Sequence, residues 1–504
     1  MSRQLFGNLR KLSITGSRFY ETILLPKGGR AFINGEWMKS ISGKTFPVLD
    51  PYTRETICEA SNCSVSEAQI AVEASKQAFT SWSSQYTAKQ RGAILSEWGK
   101  LLMKNQSALA ELMTREQGKP LAEAKGEIAY AASYLDFYAA EATRVYGQVV
   151  PPNSINRSHI HVREPIGVVA VITPWNFPTA MIARKAAAAL AVGCTMITKP
   201  AEDTPLSALA FAELGEQSGL PNGVFNVIPA DLDNTIEISK YLCTSKSVNA
   251  ISFTGSTEVG KLLLQQSAST VKRVCLELGG NAPFIVFESG NIEKAVDGVM
   301  ASKFRCSGQT CVSANRILIH EKVHDEFVDK LTRQIQKLKV GYGLDEGINF
   351  GPLINDKAVE KVSRLVKDSV DKGATVQLGG QVAYEGTTLF SPTLITGITK
   401  DMDIAHEEIF GPVVAIQKFT TEEEAINIAN GTRSGLASYF YSQDIPQIFR
   451  VQKALQFGMV GVNEGLISCS EAAFGGVKES GMGREGGTQG IDEFTQWKYI
   501  CQTF

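Results

Sequence analysis

Cys311 ends the short polar turn Gly308-Gln-Thr-Cys311, between a helix-like apolar run at 295–304 and a strand-like run at 316–320. Loops mounted on rigid elements are where reactive groups usually sit. A thiolate is the strongest ordinary side-chain nucleophile, and it needs a lowered pKa to act. The chemistry such a residue offers is covalent attack on an electrophilic carbon. Position alone equally fits a small buried hydrophobe, which most free cysteines are, so the surroundings must decide.

Four other stretches carry polar and turn-forming residues directly after apolar, β-branched runs. They are Thr173-Pro-Trp-Asn-Phe-Pro178, Lys199-Pro-Ala-Glu-Asp-Thr-Pro205, Phe253-Thr-Gly-Ser-Thr-Glu-Val-Gly260 and Glu277-Leu-Gly-Gly-Asn281. Each alone is ordinary turn punctuation; four in succession indicate ligand-facing loops. The runs at 167–173, 195–198, 224–228, 250–253, 273–278 and 284–287 alternate with helical stretches at 179–192, 205–218 and 257–267. Strands apolar on both faces, alternating with helices, predict a parallel sheet covered on both sides. Its ligand crevice lies at the carboxyl ends of the strands. There Gly255, Ser256 and the first amides of the next helix suit a pyrophosphate. The Gly-x-Gly-x-x-Gly pattern at 481–486 has no strand leading into it and no helix of useful length after it, so it is not read as a dinucleotide site. The alternation resumes after Cys311, which predicts a second α/β domain and a cleft between the two.

Upstream, Asn34-Gly35 predicts a hairpin turn, and Ser64-x-x-Glu67 a capping box. The helix it opens is expected to bury Ile70, Ala74, Ala78 and Phe79. Ile94, Leu95, Trp98, Leu101 and Leu102 recur at helical spacing. Gly118 and Pro120 punctuate the chain before a long helix from Leu121 to about Tyr146.

A chain of 504 residues exceeds one core and predicts two or three domains. The near-neutral net charge of -2 argues against nucleic acid or an anionic membrane as the main partner. No apolar run reaches the ~18 residues of a membrane span, and nine dispersed cysteines without a Cys-x-x-Cys pair suggest reduced thiols. Residues 1–20 carry Arg3, Arg10, Lys11 and Arg18, with no acid until Glu21. With Leu5, Leu9 and Leu12 on one helical face, this segment has the character of a mitochondrial transit peptide; the alternative is a basic tail on a cytoplasmic protein.

Together with Gly308-Gln-Thr-Cys311, Glu408-Ile-Phe-Gly-Pro412 and Phe474-Gly-Gly-Val-Lys478, the four strand-end stretches resemble the aldehyde dehydrogenase superfamily over essentially the whole chain after the leader. Within it, Ala183-Arg184-Lys185, Lys303-Phe-Arg305 and Asn463-Glu-Gly-Leu-Ile-Ser468 resemble the branch acting on succinate semialdehyde. The resemblance implies a Rossmann-like NAD-binding domain at 21–143 and 167–278 and an α/β catalytic domain at 279–478. It also implies a small β bridging or oligomerisation element at 144–166 and 488–504, with a homotetramer or homodimer as the assembly.

It implies Cys311 as nucleophile, Asn176 and the Cys311 N–H as oxyanion donors, and Glu277 as general base. After the apolar Val274-Cys275-Leu276, that carboxyl is expected to be desolvated and its pKa raised. For the cofactor, NAD, it implies Thr173, Pro174, Trp175, Gly255 and Ser256. Lys199 and Glu202 would take the adenosine ribose, where a carboxylate repels a 2′-phosphate. Glu408 would take the nicotinamide ribose, with Phe410 beside the ring. Arg184, Arg305 and Ser468 would hold the distal carboxylate of a small-molecule aldehyde. The alternatives are a helix-surface charge for Arg184, a salt-bridge partner for Arg305, and glutarate semialdehyde or a neutral aldehyde as substrate. One departure is Ser313, where members of this branch often carry a second, redox-active cysteine; whether Cys306 replaces it depends on the loop.

Overall fold

Val168–Ile172, five consecutive apolar residues, is the centre strand of an eight-stranded sheet. A computed structural model describes residues 26–504, so the expected leader lies outside the described residues. Five strands of this sheet are parallel, in the spatial order Phe225–Val227, Thr195–Lys199, Val168–Ile172, Ala250–Thr254, Arg273–Glu277. In chain order that is 3-2-1-4-5, so the topology switches direction between Val168–Ile172 and Ala250–Thr254, where such sheets open a ligand crevice. Two additions close the edges. The hairpin of Ala31–Ile33 and Glu36–Met38 pairs with one side, its Asn34 and Gly35 both at positive φ as a type I′ turn needs. Gly481–Met482 pairs antiparallel with the other side, opposite Leu276 and Glu277.

A second sheet of seven strands runs Thr375–Leu378, Thr393–Thr396, Val413–Phe419, Ala314–His320, Ala282–Val286, Ala437–Tyr441, Met459–Val462. All its pairings are parallel except the first. The expected second α/β unit is therefore present. Gln148–Val150, Arg157–Pro165 and Thr495–Thr503 pair with one another in a separate three-stranded sheet. That sheet leaves Val149, Trp497 and Tyr499 exposed.

The helices expected at 179–192, 205–218 and 257–267 form at Ala180–Val192, Pro205–Gln217 and Thr257–Ser267. A further helix, Leu232–Thr244, capped by Asp231, was not foreseen; its apolar residues are split, Leu232 and Ile236 outward, Ile238 and Leu242 inward. The capping box at Ser64 is complete, but the helix Val65–Ser84 buries Ala68, Ala71, Val72, Ala74 and Ser75 while Ile70 is exposed. Small residues face the sheet because the helix lies close to it, and the larger Ile70 is excluded from that contact. The long helix ends at Glu141, earlier than expected, and passes into a 3-10 turn at Ala142–Arg144.

Gly481 holds φ 138°, and a Cβ there would stand 2.0 Å from the Leu276 carbonyl oxygen. Gly481→Ala is expected to push this short strand off the sheet edge, with a loss of about 1–3 kcal/mol. Urea denaturation of the variant checks this; wild-type stability would contradict it.

Candidate active site

The carboxyl edge of the first sheet faces the amino edge of the second. Cys311 stands three residues before the strand Ala314–His320, and Glu408 five before Val413–Phe419. The loops Thr173–Pro178, Gly255–Ser256 and Leu278–Gly280 come from the opposite side. Two glycines make the closure possible. A Cβ on Gly280 would lie 2.3 Å from the Cys311 carbonyl oxygen, and one on Gly279 2.9 Å from Glu408 Oε2.

Between the edges is a cavity of about 380 Å³. Its wall includes Cys311, Glu277, Asn176, Pro174, Trp175, Gly255, Ser256, Glu408, Phe410, Arg184, Arg305 and Ser468. Twelve of the fifteen expected residues thus converge. Thr173, Lys199 and Glu202 are not in this wall. They sit at the carboxyl ends of Val168–Ile172 and its neighbour, where the Thr173 N–H donates to the Lys199 carbonyl at 3.2 Å. Lys199 Nζ donates to Thr235 Oγ1 at 3.0 Å and lies 3.9 Å from Glu202 Oε2. Burial brings the Lys199 ammonium down to about 8, against the pull of Glu202 and Asp203.

Asn176 is fixed from several sides. Its Nδ2 donates to the Gln309 carbonyl at 2.9 Å, spending one of two amide hydrogens, and its Oδ1 accepts from the Phe177 N–H at 3.1 Å. Its backbone carbonyl accepts from Lys119 Nζ at 2.7 Å. Lys119 is in turn paired with Glu127, whose other oxygen accepts the N–H groups of Thr179 and Ala180 at the start of the next helix. The sequence offered Gly118 and Pro120 only as punctuation; the buried lysine between them had no visible partner.

Glu277 ends its strand 2% exposed, with neither carboxyl oxygen hydrogen-bonded among the described residues. The carboxyl is desolvated, as the apolar Val274-Cys275-Leu276 before it implied. Burial first, then repulsion from Glu485, raises its pKa well above the usual carboxylate range, while Arg184, Lys185 and Arg484 pull it down. Glu485 was missed because it lies in the glycine-rich stretch set aside as a false dinucleotide motif. It is buried and makes ion pairs with both Arg184 and Lys185. Burial works against its charge, but those two cations prevail and keep its carboxyl below the ordinary value.

Arg184 is consequently not a helix-surface charge. It is 1% exposed and stacks over Phe474 at 4.3 Å, and its Nη2 has no hydrogen-bond partner among the described residues. Arg305, over the Phe177 ring at 5.1 Å, stands at the cavity wall.

The expectation of a thiol with a lowered pKa needs correction. Burial pushes the Cys311 thiol up to about 12, against the Arg184 charge, so the group rests protonated at neutral pH. Glu408 is pushed up to about 7 by burial, although its Oε1 accepts the Gly280 N–H at 3.1 Å. Phe410, at a strained φ of 52°, meets the Trp175 ring edge to face at 5.5 Å. Cys306 lies outside the cavity wall; its thiol donates to the Asn176 carbonyl at 3.6 Å and accepts from Gln117 Nε2 at 3.3 Å. It serves the loop's packing and does not share the space that Cys311 faces.

Residues 37–500 match the aldehyde dehydrogenase family model, and the chain belongs to the aldehyde dehydrogenase family. It is thus an aldehyde-oxidising enzyme of a family that generally depends on NAD(P). Over 472 residues it is 52% identical to the mitochondrial succinate-semialdehyde dehydrogenase of Homo sapiens, covering 94% of this chain and 88% of that one. Glutarate-semialdehyde dehydrogenase of Pseudomonas putida is 49% identical, covering 94% and 97%. The crystal structure of an E. coli NADP-dependent enzyme superposes with a TM-score of 0.93 at 46% identity, covering 94% and 98%.

Glu485→Gln leaves Arg184 and Lys185 buried without a counter-charge. It is expected to cost about 3–5 kcal/mol of stability. Chemical denaturation beside the wild type is the check, and an unchanged midpoint would contradict the pairing.

Proposed function

We propose that this enzyme oxidises succinate semialdehyde to succinate with NAD, through a thioester on Cys311. The observation that carries the reading is one cavity lined by a cysteine, an unpartnered carboxyl and two arginines. A four-carbon semialdehyde bears a carboxylate that must be paired on leaving water. Arg305 and the unpartnered Nη2 of Arg184, with Ser468, suit that end of the molecule. They also set how far the aldehyde carbon lies from Cys311. The human and Pseudomonas relatives carry names for two semialdehydes that differ by one methylene, so the acidic end is the shared demand.

In the proposed sequence the Cys311 thiol releases its proton to water and its sulfur adds to the carbonyl carbon, forming a thiohemiacetal. The free amide hydrogen of Asn176 and the Cys311 N–H receive the developing oxyanion. The nicotinamide, when bound, supplies the acceptor for the hydride that leaves this carbon. Glu277 then takes a proton from the water that attacks the thioester, and the acid departs. Its raised pKa suits a base working near neutrality.

The residues present fit a nicotinamide dinucleotide. The helix Thr257–Ser267 presents its N-terminus, capped by Ser256, at the switch point, and Glu408 and Phe410 close the opposite side. Glu202 near Lys199 supports NAD by repelling a 2′-phosphate. The NADP-dependent E. coli neighbour makes the nucleotide the point to measure. The basic first twenty residues and the mitochondrial relative support a matrix location, and the exposed three-stranded sheet supports a homotetramer or homodimer.

NADH formation from succinate semialdehyde, glutarate semialdehyde and butanal, with NAD and with NADP, tests the reading. The four-carbon acid with NAD is expected to give the highest kcat/KM. Arg305→Leu is expected to lower it about 10- to 100-fold for the acids and little for butanal, as loss of a charged hydrogen bond predicts; equal losses would remove the carboxylate site. Arg184 is the poorer variant, because its loss also disturbs Glu485.

Glu277→Gln is expected to release one equivalent of NADH per site and then stall. A steady wild-type rate would refute the base. For pH, Glu277 acts after losing its proton, and its pKa is raised, so the rate should rise with pH above the ordinary carboxylate range. Glu485→Gln removes repulsion and leaves two cations facing Glu277, so that rising limb should move to lower pH. A limb that stayed or moved upward would contradict the coupling.

A further inference from the structure

Among the polar side chains of the cavity wall that the reading above leaves unused is Tyr130. It lies one turn before Tyr134 on the helix Leu121–Glu141, and the two hydroxyl oxygens are 2.7 Å apart, with either able to donate. Their rings meet edge to face at 5.0 Å. Tyr134 is fully buried, and its hydroxyl donates to the Cys469 carbonyl over a long 3.4 Å. Cys469 directly follows Ser468, so a chain of hydroxyls runs from the cavity to the loop that carries Ser468. Arg184, Arg305 and Ser468 share the same wall as Tyr130.

Each hydroxyl has one hydrogen to give. With Tyr134 turned to the Cys469 carbonyl, Tyr130 must donate to Tyr134 and shows only lone pairs to the cavity. Rotating both reverses the chain: Tyr134 donates to Tyr130, and the Tyr130 O–H points into the cavity. The contact given up is the 3.4 Å one, the weakest in the chain. A negative group in the cavity favours the second arrangement. Burial keeps the Tyr134 hydroxyl protonated far above neutral pH, so it remains a donor throughout.

We propose that Tyr130 is a specificity-determining residue whose phenolic O–H donates to the distal carboxylate of the substrate, with the Tyr134 hydroxyl behind it reversing to allow this. The proposal rests on the semialdehyde reading above. It adds a neutral donor to the arginines, one that costs a neutral aldehyde nothing because the pair can stay in its resting arrangement.

Steady-state kinetics on succinate semialdehyde and butanal, which have equal chain length, test it in the wild type, Tyr130→Phe and Tyr134→Phe. Tyr130→Phe is expected to lower kcat/KM for the acid about 10- to 100-fold, mainly through KM, the range for a hydrogen bond to a charged group. Butanal should change by less than about twofold, since only area-neutral loss of a hydroxyl is involved. Tyr134→Phe should keep most of the preference for the acid, because Tyr130 still has its hydrogen to give. Equal losses on both substrates in Tyr130→Phe, or a loss in Tyr134→Phe alone, would overturn the proposal. A wild type as active on butanal as on the acid would sink the substrate reading itself, and the tyrosine's role with it. A wild type selective for the acid, with Tyr130→Phe equally selective, would sink the tyrosine's role alone.

Discussion

Glu485 holds two cations inside the protein at once, and much of the site depends on that arrangement. Arg184 and Lys185 are adjacent on a helix whose every residue is buried, and without a counter-ion neither belongs there. A single carboxylate ion-pairs with both, which leaves an excess positive charge beside Glu277. The excess offsets part of the cost of ionising Glu277, while Glu485 itself opposes it. Burial and Glu485 raise the carboxyl's pKa well above the usual carboxylate range, and the two cations oppose that rise. Buried charge clusters are seldom favourable for stability alone; this one makes sense as part of a reactive centre.

The second constraint is proximity. Two sheets meet edge to edge, with the carboxyl ends of one against the amino ends of the other; Gly280 lets the backbone approach the Cys311 carbonyl, and Gly279 makes room for the Glu408 carboxyl. Side chains separated widely in sequence then face a volume of about 380 Å³. In so small a space burial governs titration, which is why both the Cys311 thiol and the Glu277 carboxyl move upward.

Much of this was legible from residue order. The parallel sheet followed from runs apolar on both faces, and the strand-end loops from glycine, proline and small polar residues directly after them. Twelve of fifteen expected site residues line one cavity because the strand-end loops of the first sheet face the loops that enter the second. Glu485, Lys119, Glu127 and Tyr130 were not legible. Each is an ordinary residue in a helix or a turn, and its meaning comes from a partner far along the chain: Glu485 from Arg184, Lys119 from the Asn176 carbonyl, Tyr130 from the cavity itself. Ile70 shows the same limit on a smaller scale. Periodicity identified its helix, but the closeness of helix and sheet decided which face was buried.

The sequence by itself determined the alternation of strands and helices, the loops that carry chemistry and the kind of chemistry Cys311 offers, because these depend on local patterning and side-chain type. Tertiary structure alone decided the charge states of that chemistry and the neighbours that tune it. Desolvation and ion pairing are set by three-dimensional distance, and no spacing along a chain records which acid will end beside which base.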